Sequence, residues 1–205
     1  MERKQFLLTG VMTGIAATGL ATSLGMAAIN KNAPLKPFYL PPDAEPLIPI
    51  HGLNIRIKVR SSQTNMQYSC IDAAVAPKTM GPPPHFHKDL DELMYVHEGM
   101  VHVLVGSEVY EVKAGGWHFR PRGIVHTFWN ASDKPALFTD MYFNQNFEDY
   151  LEELFFKIYP DMMQRNLNPG HPEIAKKIGE LDKKFGLTHF PENRQSIVDK
   201  YGLKN

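Results

Sequence analysis

The strongest constraint on this chain is a pair of clusters between residues 81 and 130 that hold His and Glu at short, regular spacings. In a strand, residues two apart point to the same face, so His85 and His87 can both reach one metal ion. A turn after His87 lets the chain fold back and bring Glu92 near them. His126 comes from a distant segment, and only a closed β architecture would place it beside the others. The clusters therefore predict a metal site inside a β barrel.

The chain around these clusters has the pattern of an antiparallel β domain. Short β-branched and apolar runs alternate with Gly, Pro and Ser, and no helical period separates them, which is typical of a sandwich or barrel. Gly106 and Ser107 lie between two of the runs and predict a hairpin turn. The runs are Ile55 to Val59, Met66 to Val75, Leu93 to His97, Val101 to Val105, Val109 to Val112 and Leu137 to Phe143.

Beyond Asn144 the apolar period changes from two to about three and a half. One amphipathic helix is predicted from Asn146, as its N-cap, to Pro160, which should end it. A second is predicted over 172–185 and a third over 191–201, each followed by a glycine. We expect this helical tail to cover a face of the barrel or a subunit interface.

The first residues have the composition of an export signal. Arg3 and Lys4 precede a weakly apolar, uncharged run, and cleavage is predicted after Ala27. The start also resembles a relaxed twin-arginine signal, and the route is left open between that pathway and the general secretory one. The alternative is an uncleaved membrane anchor, since the run is long enough to span a bilayer. The predicted location is the periplasm, with no stable membrane span after cleavage.

Composition excludes several classes of partner. Lys plus Arg and Asp plus Glu both number 22, and the pI is about 7.1, so no basic field would attract nucleic acid or an anionic membrane. The single cysteine, Cys70, cannot form an internal disulfide, and we expect it to be a buried apolar residue of a strand.

The clusters also resemble a known signature. Residues 81–99 are matched to Gly-x5-His-x-His-x4-Glu-x6-Gly, and residues 115–130 are matched to Gly-x5-Pro-x-Gly-x2-His-x3-Asn. Together they are similar to the two-part signature of the cupin superfamily. The segment Gly-Pro-Pro-Pro-His resembles the corresponding segment of the small cupins grouped with quercetin dioxygenases. The resemblance implies a mainly β fold, a cupin-type antiparallel jelly-roll barrel (double-stranded β-helix), with a C-terminal α-helical tail.

This resemblance divides the chain into four parts. They are an export signal at 1–28, a Pro-rich arm at 29–52, the cupin barrel at 53–144 and the helical segment at 145–205. Because cupins commonly pair, a homodimer is expected, and the arm is a candidate for exchange onto a second copy.

The cupin resemblance also implies a ligand set, which carries over to His85, His87, Glu92 and His126. Three imidazoles and one carboxylate suit one divalent transition metal, Fe, Mn, Ni, Co, Cu or Zn, and would leave coordination positions open. Asp91 is the rival carboxylate, but the spacing favours Glu92.

The same resemblance implies an oxidoreductase of the dioxygenase type. The expected substrate is a small enol, phenol or diketone, with dioxygen as co-substrate and Glu92 as both metal ligand and base. Two alternatives stay open: a metal-dependent isomerase or decarboxylase, and a non-catalytic cupin that binds a small ligand. Four apolar residues are candidates for the substrate pocket: Met94, Phe128, Phe138 and Met141.

Overall fold

The fold is a barrel of two antiparallel sheets with a helical tail packed on it. The computed structural model describes residues 34–204, so the predicted export signal lies outside the described residues. The strands, in chain order, are β1 (Leu53–Val59), β2 (Tyr68–Val75), β3 (Thr79–Met80), β4 (His85–His87), β5 (Asp91–Glu98), β6 (Met100–Val105), β7 (Glu108–Lys113), β8 (Trp117–Arg120), β9 (His126–Asn130), β10 (Ala136–Phe143) and β11 (Leu187–His189).

One sheet has the order β1-β2-β10-β5-β8, and the other has β11-β4-β9-β6-β7, with β3 also paired to β9. Consecutive strands β4 and β5 belong to different sheets, as do β9 and β10, so the chain crosses between the sheets. This is the mainly antiparallel jelly-roll architecture that the sequence predicts. The hairpin turn at Gly106 is confirmed, because Val105 pairs with Glu108 and Gly106 has φ 59°.

Alternation along the strands decides which side chains enter the barrel. In β10, Ala136, Phe138, Asp140 and Tyr142 are buried, while the residues between them are half-buried. The main core joins Ala136, Phe138 and Tyr142 to Val75, Met94 and Val101, and each of the last three has 0% exposure. Cys70 is buried in β2, as expected, and burial raises the pKa of its thiol to about 11.

The tail contains α1 (Phe147–Glu153), α2 (Tyr159–Gln164), α3 (Pro172–Phe185) and α4 (Arg194–Tyr201). The prediction that the first helix ends at Pro160 is wrong. A π turn at Leu154–Ile158 joins α1 to α2, and Pro160 lies in the first turn of α2. A π turn changes the hydrogen-bond register, so the missing N–H of the proline is tolerated there. The third predicted helix begins later than expected, after a 3-10 turn at Pro191–Asn193.

The tail does cover the barrel, and it does so in two places. Phe147, Leu151 and Phe185 join the main core, whereas Val198 and Leu203 pack on Met80 and Trp129 in a second, smaller cluster. The tail also contributes β11 to the edge of a barrel sheet, which sequence reasoning missed. The described helices include none that is both long and apolar enough to cross a membrane.

The Pro-rich arm, from residue 34 onward, runs over the barrel surface without a strand or α-helix. It is attached through Asp43, which forms ion pairs with Arg56 at 3.0 Å and Lys58 at 2.5 Å. Its exchange onto a second copy stays a prediction.

Candidate metal centre

Strand β4 supplies two of the candidate ligands. His85 and His87 are buried with 6% and 0% exposure, and Phe86 between them is half-buried and packs near Phe190 on the other side of the sheet. The strand is short because Pro84 precedes it, and the chain turns at Lys88 into the opposite sheet. Both imidazoles therefore point into the barrel.

The other two ligands come from β5 and β9. Glu92 lies on the inward face of β5, with 5% exposure, and His126 is directly paired with His85 across β4 and β9. One potential ligand atom from each of His85, His87, Glu92 and His126 lies within 4.8 Å of the other three. Asp91, the rival carboxylate, lies on the other face of β5 and pairs with Arg122 and Asn144.

Hydrogen bonds hold two of the rings in a ligand-ready orientation. The Nδ1 atoms of His85 and His126 lie 2.9 Å from the carbonyl oxygens of Pro83 and Ile124 respectively. A carbonyl can only accept, so in each neutral ring Nδ1 carries the proton and Nε2 presents its lone pair. These contacts set the imidazole tautomer that a metal requires.

Unpaired buried atoms show that a cation fits this cluster. The Nε2 atoms of His87 and His126 are buried and lack an aligned hydrogen-bond partner among the described residues. They lie 2.9 Å and 3.4 Å from the Glu92 carboxylate, close enough to share an ion with it. Buried polar atoms are rarely left unpaired, and a metal would satisfy these at once. The donor set of imidazole nitrogen and carboxylate oxygen suits first-row divalent metals.

The electrostatics favour the protonation states that bind metal. Burial lowers the pKa of His87, and burial together with the neighbouring imidazoles holds that of His85 well below its usual range. Burial alone would raise the pKa of Glu92, but the charge on Arg120, with His126 and His87, holds it well below normal. Neutral imidazoles and an ionised carboxylate need not lose protons before binding a cation.

Arg120 is a functional residue that sequence reasoning missed. Its Nε lies 2.8 Å from Glu92 Oε2, and its Nη2 donates to both oxygens of Asp140 at 2.5 Å. The three side chains are almost fully buried. No pattern in the sequence indicated it: in β8 the aromatics Trp117 and Phe119 alternate with His118 and Arg120, which predicts buried aromatics, yet it is the aromatics that face solvent.

The predicted pocket residues lie at different depths. Met94 and Phe138 are core residues with 0% and 1% exposure, and Phe128 is half-buried against Phe138 at a ring distance of 5.2 Å. Met141 lies on the opposite face of β10 from Phe138. Contact with a substrate stays a prediction for all four.

Two residues of the tail contact the rings of metal ligands. The ring of Phe147, in α1, meets His87 edge to face at 4.8 Å, and the ring of His189, in β11, lies 5.4 Å from that of His85. Neither contact was predicted, because both connect segments far apart in the sequence.

Comparison with known proteins agrees with this geometry. Residues 72–142 match the family model described as a cupin domain. Over this segment the fold and the ligand set agree with a metal-binding cupin domain. The buried residues His85, His87, Glu92 and His126 form its binding site for one divalent transition metal.

One spacing departs from the cupin signature. Three prolines separate Gly81 from His85, where the signature has five residues. The glycine is nevertheless required by packing, because a Cβ at Gly81 would lie 2.7 Å from ring carbons of Phe128.

Solved structures resemble the chain only loosely. Oxalate decarboxylase from Bacillus subtilis is 20% identical, with a TM-score of 0.41 over 47% of this chain and 26% of its own. KdgF from Halomonas sp. is 18% identical, with a TM-score of 0.43 over 53% of this chain and 88% of its own. The chain thus spans about a quarter of the oxalate decarboxylase and most of KdgF. No curated protein matches the chain.

Proposed function

We propose that this cupin is a metal-dependent dioxygenase acting on a small enol, phenol or diketone. The observation that carries the proposal is the convergence of three imidazoles and one carboxylate on a single buried centre. Four protein ligands on a six-coordinate ion would leave positions for a substrate oxygen and for dioxygen. When bound, the metal would supply Lewis acidity and, for every candidate except zinc, a redox centre.

The protein's own part in this reaction begins with Glu92. Arg120 keeps the carboxylate ionised and fixes one of its oxygens, which suits a metal ligand. A carboxylate whose pKa is held low is also a weak proton acceptor, so its ligand role has the stronger physical support. Its second role, as base for the substrate hydroxyl, is a separate part of the proposal.

The second contribution of the protein to the reaction is the burial of the metal site. The four ligands are at most 6% exposed. The apolar side chains of Met94, Val96 and Phe138 lie on the same inward faces of β5 and β10. Such a site excludes bulk water and favours a small, largely apolar substrate with one or two polar groups. This supports an enol or phenol over a highly charged substrate.

Oxygen uptake tests the proposal. Protein loaded separately with Fe, Mn, Ni, Co, Cu or Zn is mixed anaerobically with flavonols, small 1,2-diols or diketones, and oxygen is then added. We expect uptake with at least one metal, and none in His87→Ala. Turnover without oxygen would instead favour an isomerase or decarboxylase, and retention of ligand without product would favour a binding protein.

Export is a further part of the proposal. It rests on the composition of residues 1–28, outside the described residues. Cell fractionation with N-terminal sequencing would test it, and an intact N-terminus in the membrane fraction would favour the anchor.

A further inference from the structure

The C-terminal tail brings a fourth histidine, His189, next to the metal ligands. Strand β11 pairs with β4 so that His189 is directly opposite His85. Directly opposite residues of an antiparallel pair project to the same face of a sheet. His85 points into the metal site, so His189 projects to the same side. The 5.4 Å between the two rings agrees with this placement.

An acidic side chain orients the His189 ring. Its Nδ1 lies 3.1 Å from Asp182 Oδ2, and the other oxygen of Asp182 accepts a hydrogen bond from the hydroxyl of Tyr150 at 2.9 Å. An ionised carboxylate can only accept, so Nδ1 carries the proton of the neutral ring. The lone pair is then on Nε2, which has no hydrogen bond within residues 34–204.

His189 also lies on the solvent side of the metal ligands. Its side chain is 19% exposed, whereas the side chains of His87, His126 and Glu92 are 0%, 2% and 6% exposed. It belongs to the edge strand of its sheet, at the border between the barrel and α3. A small molecule that reaches the metal centre along this edge would meet His189 before His85.

We propose that His189 contacts the ligand of the metal site, with Nε2 accepting a hydrogen bond from a second hydroxyl of a 1,2-dihydroxy or enediol compound. Asp182 is the positioning residue that keeps the acceptor nitrogen free. The inference deepens the proposed function and rests on it for this ligand class.

Ligand binding without turnover tests the inference. Protein loaded with Co(II) is titrated under anaerobic conditions with catechol and with 2-methoxyphenol, and the cobalt absorption bands report each dissociation constant. In 2-methoxyphenol a methyl group replaces one hydroxyl hydrogen of catechol, so only catechol can donate a hydrogen bond from its second oxygen. In His189→Ala we expect catechol to bind roughly tenfold more weakly, the usual effect of one lost hydrogen bond, and 2-methoxyphenol to bind as before. Thr188→Ala, on the exposed face of the same strand, is the matched control.

A second variant separates ligand contact from a structural role. In Asp182→Asn, Tyr150 would keep its bond to the amide oxygen, so the amide nitrogen would face His189 Nδ1 and donate to it. The ring proton would then move to Nε2. We expect the preference for catechol over 2-methoxyphenol to fall about tenfold although the imidazole is still present.

Three outcomes would overturn the inference. They are an unchanged preference between the probes in both variants, equal weakening of both probes, and loss of cobalt from His189→Ala, which would assign the ring to the support of His85. Absence of oxygen uptake would contradict the dioxygenase proposal but would leave these dissociation constants as they are.

Discussion

The barrel and the tail both reach the metal centre, but they contribute different chemistry. The barrel supplies ionisable groups that are almost fully buried and hold one another in place, such as Glu92, Arg120 and Asp140. The tail supplies an aromatic ring, Phe147, and a partly exposed imidazole, His189. We therefore expect the barrel to determine whether a cation binds, and the tail to add to the surroundings of the site.

The largest effect should come from removing a barrel ligand. In His87→Ala one of the four metal donors is lost. We expect metal affinity to fall more than a hundredfold, because losing only a hydrogen-bond partner of a ligand already lowers it about 10–100-fold. Elemental analysis of protein purified without added metal measures this. His97→Ala is the control, because His97 is exposed and bonds Thr139 instead. Equal metal in wild type and His87→Ala would contradict the ligand assignment.

The next effect concerns the buried ion pairs of the barrel. Arg120→Met leaves Asp140 and Glu92 without their cation, and we expect unfolding to become easier by about 3–5 kcal/mol. Metal affinity should also fall about 10–100-fold, because Glu92 loses its orienting partner. Urea unfolding and metal titration measure the two effects.

The control for Arg120→Met is an exposed ion pair formed by an arginine two residues further along the chain. Arg122 forms an ion pair with Asp91 at the surface, where its side chain is 44% exposed. Arg122→Met should therefore cost less than about 1 kcal/mol. Similar losses in the two variants would show that burial does not distinguish the pairs.

Truncation of the tail's main contact should affect stability more than metal binding. Phe147 is 5% exposed and touches His87, Tyr142 and Phe185. Phe147→Ala should lower the free energy of unfolding by about 3–5 kcal/mol, while metal stoichiometry stays at one. Phe156→Ala is the control, since Phe156 is 49% exposed in the adjoining π turn. Loss of metal from folded Phe147→Ala would mean that the tail, too, determines cation binding.

The smallest effect is a pH dependence that arises in the barrel. Burial, with the charges of Arg120 and His126, lowers the pKa of His118 to about 4 from the ordinary 6.5. Between these values the unfolded chain binds a proton that the folded chain does not, so stability falls as pH falls from 6.5 to 4. His118 is only half-buried, so we expect a loss of about 1 kcal/mol after solvent screening. Urea unfolding against pH should show a shallower slope in His118→Gln.

The sequence was most informative where the chemistry is local. His85 and His87 lie two apart in a strand, and Gly106 marks a hairpin, so spacing alone predicts their placement. The prediction that the helix ends at Pro160 failed because a π turn, which depends on tertiary packing, lets the helix continue beyond the proline. Arg120 was missed because its partner Asp140 is in a different strand and a buried arginine contradicts the usual polar exposure. Strand β11 has three residues, too few for a periodic signal.

The position of β11 in the chain has a consequence for biogenesis. All four cation donors precede this strand in the chain and are therefore synthesised before it. Until β11 docks, the backbone edge of β4 beside His85 is open to water and to a metal donor. Once it docks, the three residues of β11 cover that edge and leave only a short edge strand, which offers little backbone for pairing with other chains.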